Sequence, residues 1–165
     1  MSRILVVSSL LIFGACSSDT DETHAHGTDV IAAAATCDPS TVDAYAVGLS
    51  RATEGGTWMV EMMGAMPSPP DVGLNQFQVK VTDAAGTAVE GVTVTIEPRM
   101  PEHGHGTVPA TFVSQTSGTG EATVPATTEE KMIDLIMPGA WLLHFHVEDS
   151  AGTRETASYT FCAQG

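Results

Sequence analysis

From Asp43 onward the chain carries repeated runs in which apolar residues recur at every second position. Tyr45, Val47 and Leu49 are separated by small residues, and Trp58, Val60 and Met62 by Met59, Glu61 and Met63. Successive side chains of a strand leave opposite faces, so this alternation predicts half-buried strands. Pro67, Pro69 and Pro70 close the second of them, because proline has no donor for a central ladder. Residues 74–82 predict a third strand, followed by a turn at Asp83-Ala84-Ala85-Gly86-Thr87. Val92, Val94 and Ile96 alternate with threonines in a strand expected to end at Pro98. A polar connection with a short apolar centre at Phe112 and Val113 covers 107–119. Further strands are expected over 120–124 and 133–137, the latter leading into a turn at Pro138-Gly139. Trp141, Leu143, Phe145 and Val147 then point one way, and Leu142, His144, His146 and Glu148 the other. After a turn at 149–152, Ala157, Tyr159 and Phe161 define a last strand that carries Cys162. Seven or eight short strands without a helical period predict an all-β, immunoglobulin-like antiparallel β-sandwich, with the Trp141 strand inside a sheet.

The first residues follow a different pattern. Arg3 precedes an apolar run over 4–13, broken only by Ser8 and Ser9, and Phe13-Gly14-Ala15-Cys16 supplies small residues before a cysteine. A run this short predicts a secretory signal over 1–15 rather than a spanning helix. The small pair before Cys16 resembles a bacterial lipobox, which implies lipidation of Cys16; an ordinary signal peptide is the alternative. Residues 16–36 lack aromatics and any period and predict a flexible acidic tether to a domain at 37–165. The expected address is the cell envelope, lipid-anchored, on its periplasmic or extracellular face.

Charge and cysteines narrow the picture further. Twenty Asp and Glu against six Lys and Arg give a formal net charge of −14. That balance argues against nucleic acid and is compatible with cations. Cys37 and Cys162 bracket the domain, and in an oxidising compartment such a pair predicts a disulfide. The other reading is a pair of copper-binding thiolates.

All six histidines occur as H-x-H pairs: His24/His26, His103/His105 and His144/His146. The first pair lies in the tether and reads mainly as solvated. The second lies in Met100-Pro101-Glu102-His103-Gly104-His105-Gly106, where glycines permit sharp bends and close approach. The third shares one strand face. Met100 and Met137 adjoin these two pairs in sequence. Imidazole with thioether suits copper, Cu(II) through nitrogen and Cu(I) through nitrogen plus sulfur; zinc would accept imidazoles alone. Four imidazoles, His103, His105, His144 and His146, are therefore expected to converge, with Met100 or Met137 as a soft auxiliary ligand. Met59, Met62, Met63 and Met66 read mostly as core filler, with Met63 and Met66 the exceptions. Against this stands a metal-free reading, in which the histidines only hydrogen-bond locally.

Gly73-Leu74-Asn75-Gln76-Phe77, Asp83-Ala84-Ala85-Gly86, the Met100–Gly106 run and Met137-Pro138-Gly139-Ala140-Trp141 together resemble the YtkA-like domain, a family that includes FixH-like proteins. The resemblance covers about residues 56–150. It implies an immunoglobulin-like, extracytoplasmic and often membrane-attached domain. FixH-type members are linked to copper supply for an oxidase, but they carry a transmembrane helix of a kind not seen here. No nucleophile elbow or glycine-rich phosphate loop is present, so no enzyme is expected. The expected function is an extracytoplasmic lipoprotein that binds copper, as a carrier or as an assembly factor for a copper enzyme or oxidase. The alternative is a metal-free structural or protein-interaction module of the envelope.

Overall fold

The computed structural model describes residues 37–127 and 132–165. The expected signal, Cys16, the tether and His24/His26 lie outside the described residues. The strands are β1 (Ser50–Ala52), β2 (Trp58–Met66), β3 (Gly73–Asp83), β4 (Thr93–Met100), β5 (His105–Gly106), β6 (Phe112–Gln115), β7 (Glu121–Val124), β8 (Ile133–Leu135), β9 (Gly139–Glu148) and β10 (Arg154–Ala163). They form two five-stranded antiparallel sheets. In one, the order is β1-β2-β3-β7, with β8 also pairing β3; in the other it is β10-β9-β4-β5, with β6 also pairing β4. No helix occurs among the described residues.

The alternation read from the sequence becomes the core. Trp58, Val60 and Met62 of β2, Phe77, Val79 and Val81 of β3, and Trp141, Leu143, Phe145 and Val147 of β9 are all buried. Aromatic rings join the sheets: Phe77 meets Phe145 edge-on at 6.1 Å and stacks with Phe161 at 6.4 Å. Tyr159 of β10 donates its hydroxyl to the Val60 carbonyl of β2. Burial of this many large apolar side chains, at about 1.5–3 kcal/mol each, is what holds the two sheets face to face.

Four local expectations change. Residues 45–49 form no strand, because Gly48 turns the chain at φ +89° and the pairing starts only at Ser50. Tyr45 and Leu49 still pack against the core, whereas Val47 is exposed. Next, β4 runs through Pro98 to Met100. A Cβ on Gly106 would stand 2.6 Å from the Pro98 carbonyl, so Pro98 turns its backbone polar groups toward the β5/β6 side. There β6 pairing stops at Ile96 and β5 pairing begins at Arg99, so no ladder bond is lost at the proline. A third change is that the connection over 107–119 contains β6, whose Phe112 is buried. Finally, Cys37 lies in no strand and ties the N-terminal segment to β10.

The edge of β10 is covered. Asp43 and Glu54 amides donate to the Thr160 and Thr156 carbonyls. The Arg51 guanidinium donates to the Ser158 carbonyl between them and lies 5.0 Å over the Tyr159 ring. Every second carbonyl along that edge thus has a donor, which blocks edge-to-edge pairing. Cys37 and Cys162 form a disulfide with Cα atoms 5.9 Å apart. The thiolate reading of these cysteines is thereby corrected, and the bridge places the domain outside the reducing cytoplasm.

Candidate metal centre

The histidine loop is a tight connection between β4 and β5. Met100 pairs with His105, and Arg99 with Gly106. Between them the chain reverses: the His103 and Gly104 amides both donate to the Met100 carbonyl, at 3.1 and 2.9 Å. Gly104 sits at φ +67°, a left-handed conformation that glycine adopts without penalty. Residues directly opposite in an antiparallel pair share a face. Met100 faces the core and is 1% exposed, so His105 also turns to the inner side, at the end of the sandwich.

There His105 meets Met137. The ring Nε2 lies 3.3 Å from the Met137 Sδ, and Nδ1 lies 3.2 Å from the Gly106 carbonyl oxygen. A carbonyl can only accept, so in the neutral ring the proton sits on Nδ1 and is donated there. Nε2 then presents a lone pair to a thioether that is itself an electron-pair donor. In that tautomer a borderline imidazole nitrogen and a soft thioether face each other with no proton between them. An ion bonded to nitrogen at about 2.0 Å and sulfur at about 2.3 Å separates its donors by about 3.5 Å at a tetrahedral angle. The observed pair is already close to that separation. The carbonyl on Nδ1 matches the outer partner that fixes the tautomer of metal-bound histidines.

Trp141 holds both donors. Its indole N–H donates to the Met137 carbonyl at 3.0 Å, and its ring meets His105 edge-on at 5.9 Å. Trp141 is wholly buried, so this support is rigid. The His103 ring lies 5.9 Å from the His105 ring. His103 also lines a cavity of about 430 Å³ with Met100, Glu102 and Asp38. Met100 packs beneath Gly139: a Cβ there would stand 2.4 Å from its Cε. Of the two methionines named from sequence, Met137 meets the imidazole, while Met100 forms a buried wall.

His144 and His146 stand elsewhere. They pair with Glu97 and Thr95 of β4 and with Ser158 and Thr156 of β10. All are half-buried, in alternation with the core positions of their strands, so this group lies on the outer face of the sheet. The Glu97–His144 pair also lies three residues along β4 from the Met100–His105 pair, roughly 10 Å at 3.3 Å per residue. The expected convergence of four imidazoles is therefore corrected: the two pairs occupy opposite faces of one sheet, and no single ion can join them.

On the outer face the two rings stack at 5.9 Å. His144 Nδ1 is 2.9 Å from the Ser158 hydroxyl and His146 Nδ1 is 2.8 Å from that of Thr156. His146 Nε2 lies 3.2 Å from a Glu97 carboxylate oxygen. Burial, then the neighbouring His146, pushes the His144 pKa below the ordinary imidazole value. At Glu97 burial works upward, but hydrogen bonds from His146 and Arg99, with their charges, leave its pKa below the usual carboxylate range. Glu97, Ser158 and Thr156 are functional candidates that sequence reasoning missed. Alternation along β4 does put Glu97 on the outer face, but nothing in the sequence says that β4 lies beside β9.

Among the described residues, no three or more His, Cys, Asp and Glu side chains are grouped to hold a metal ion. The candidate at His105 depends instead on a thioether. No helix among the described residues is long and apolar enough to cross a membrane. No family model, curated protein or solved structure matches this chain.

Proposed function

We propose that this chain is a lipid-anchored, YtkA-like protein of the cell envelope whose immunoglobulin-like domain carries copper through His103, His105 and Met137. The observation that carries the reading is the 3.3 Å approach of His105 Nε2 to Met137 Sδ, with the other ring nitrogen against a carbonyl. Nitrogen plus thioether favours Cu(I) over harder ions. The rings of His103 and His105 are close enough for His103 to join after a rotamer change. A site at the sandwich end, beside an open cavity with Glu102 and Asp38 in its wall, suits an ion that must be passed on. The acidic surface favours cations generally. The resemblance adds support: the Met100–Gly106 run and the Met137–Trp141 run are the segments that meet here. The role is transport or delivery to a copper enzyme or oxidase under assembly, without catalysis.

The test is Cu(I) titration of the full chain against a competing chelator. Met137→Leu and the double variant His103→Ala with His105→Ala should each weaken Cu(I) binding by about tenfold or more, as loss of one chelating donor implies. Affinity unchanged in both variants would remove this site and, with it, the copper-carrier reading.

A further inference from the structure

The outer face of the β10-β9-β4 sheet carries a second constellation that the end site does not use. His144 and His146 project side by side from β9, as residues two apart on a strand must. Their rings stack at 5.9 Å. The Nδ1 atoms of both rings are already held, by Ser158 and Thr156 of the neighbouring strand. That leaves Nε2 as the coordinating atom of each, which on His146 is shared with Glu97. Outer partners of this kind orient imidazoles toward a metal. A hydroxyl both donates and accepts, so each can hold its ring in either tautomer. The Glu97 carboxylate stands at His146 Nε2 and adds negative charge where a cation would sit.

We propose that His144 and His146 form a second metal site, separate from the first, that takes Cu(II) as a two-imidazole chelate completed by water. The groups that meet here supply imidazole nitrogen and hydroxyl and carboxylate oxygen, and among divalent first-row ions such a set favours Cu(II). On binding, His146 Nε2 gives up its contact with Glu97 and turns its lone pair to the ion. Its proton moves to Nδ1, where Thr156 Oγ1 accepts it, and no net proton is released from a neutral ring. Glu97 stays beside the bound cation, still held by Arg99.

The experiment uses the full chain with His24, His26, His103 and His105 all replaced by alanine, so that only this pair of imidazoles remains. Copper(II) chloride is titrated and followed by electron paramagnetic resonance. The expected signal shows hyperfine coupling to two imidazole nitrogens. His144→Ala in this background should weaken binding roughly a hundredfold, because the second imidazole otherwise binds intramolecularly. Ser158→Ala should weaken it by about tenfold or more through the lost outer partner. Near-ultraviolet circular dichroism checks that each variant is folded; Ser158→Ala, which leaves both imidazoles in place, serves if His144→Ala does not fold. Absence of a two-nitrogen signal, or an affinity unchanged by these substitutions, overturns the proposal. Neither outcome bears on Cu(I) at Met137, which this background lacks the histidines to bind.

Discussion

Tyr159 shows how one side chain can tie the two sheets together and report on them. Burial pushes its phenol pKa up to about 12, while its hydroxyl donates to Val60 across the interface. A raised acid pKa means the folded state holds its proton longer than the unfolded chain. The associated stability is fully present below the unfolded value near 10 and is lost as pH rises toward 12. Alkaline unfolding should therefore start above about pH 10 and flatten in Tyr159→Phe. That variant should also lose about 1 kcal/mol at neutral pH from the missing hydrogen bond. Urea unfolding at pH 7 and pH 11 measures both. Asp71 behaves oppositely. The amides of Gly165, Val72 and Gln164 hold its carboxyl below the usual range, against a small opposing effect of burial. Its contribution is present above the unfolded value near 3.9 and is lost as pH falls through the lower, folded one. Asp71→Asn should shrink the acid-side fall in melting temperature between pH 5 and pH 2.

Elements decide where the chemistry lands. β9 begins at Gly139, whose φ of +134° and contact with Met100 leave no room for a side chain. Gly139→Ala should cost about 1–3 kcal/mol by overpacking and shift the Met137–Trp141 segment, so Cu(I) affinity should fall with it. Thermal melting and metal competition on the same sample would show whether the two losses go together. Much of this level was legible in the sequence. The phase of β2, β3, β9 and β10 follows from alternation alone, as do the outward positions of His144 and His146. Met100 is in phase with Val94 and Ile96 because β4 runs on past Pro98, where the sequence reading ends the strand, and this makes it core rather than the candidate ligand. What could not be seen was the register of the β4–β5 hairpin. A left-handed Gly104 sets it, and it is what turns His105 inward. The expected meeting of the two histidine pairs failed at that point. Likewise β1 was misplaced by the turn at Gly48, and β4 was cut short because the gap beside Pro98 is a property of its neighbours.

At the scale of the molecule, the disulfide closes nearly the whole domain. Cys37 and Cys162 are 125 residues apart in sequence, and a loop of that length contributes about 5 kcal/mol in the chain-entropy model. Replacing both by serine should lower stability by about 2–5 kcal/mol in urea without abolishing Cu(I) binding, because neither sulfur is a donor in the proposed site. The same sandwich keeps two sets of donors apart. One lies at its end, where nitrogen meets sulfur on a buried tryptophan. The other lies on an outer face, where nitrogen meets oxygen. The most direct test of the account is copper K-edge X-ray absorption on the Cu(I)-loaded full chain. The expected spectrum has a sulfur neighbour at about 2.3 Å beside nitrogen at about 2.0 Å, with the sulfur lost in Met137→Leu. A spectrum with nitrogen or oxygen neighbours alone, or a sulfur neighbour that survives Met137→Leu, would contradict it.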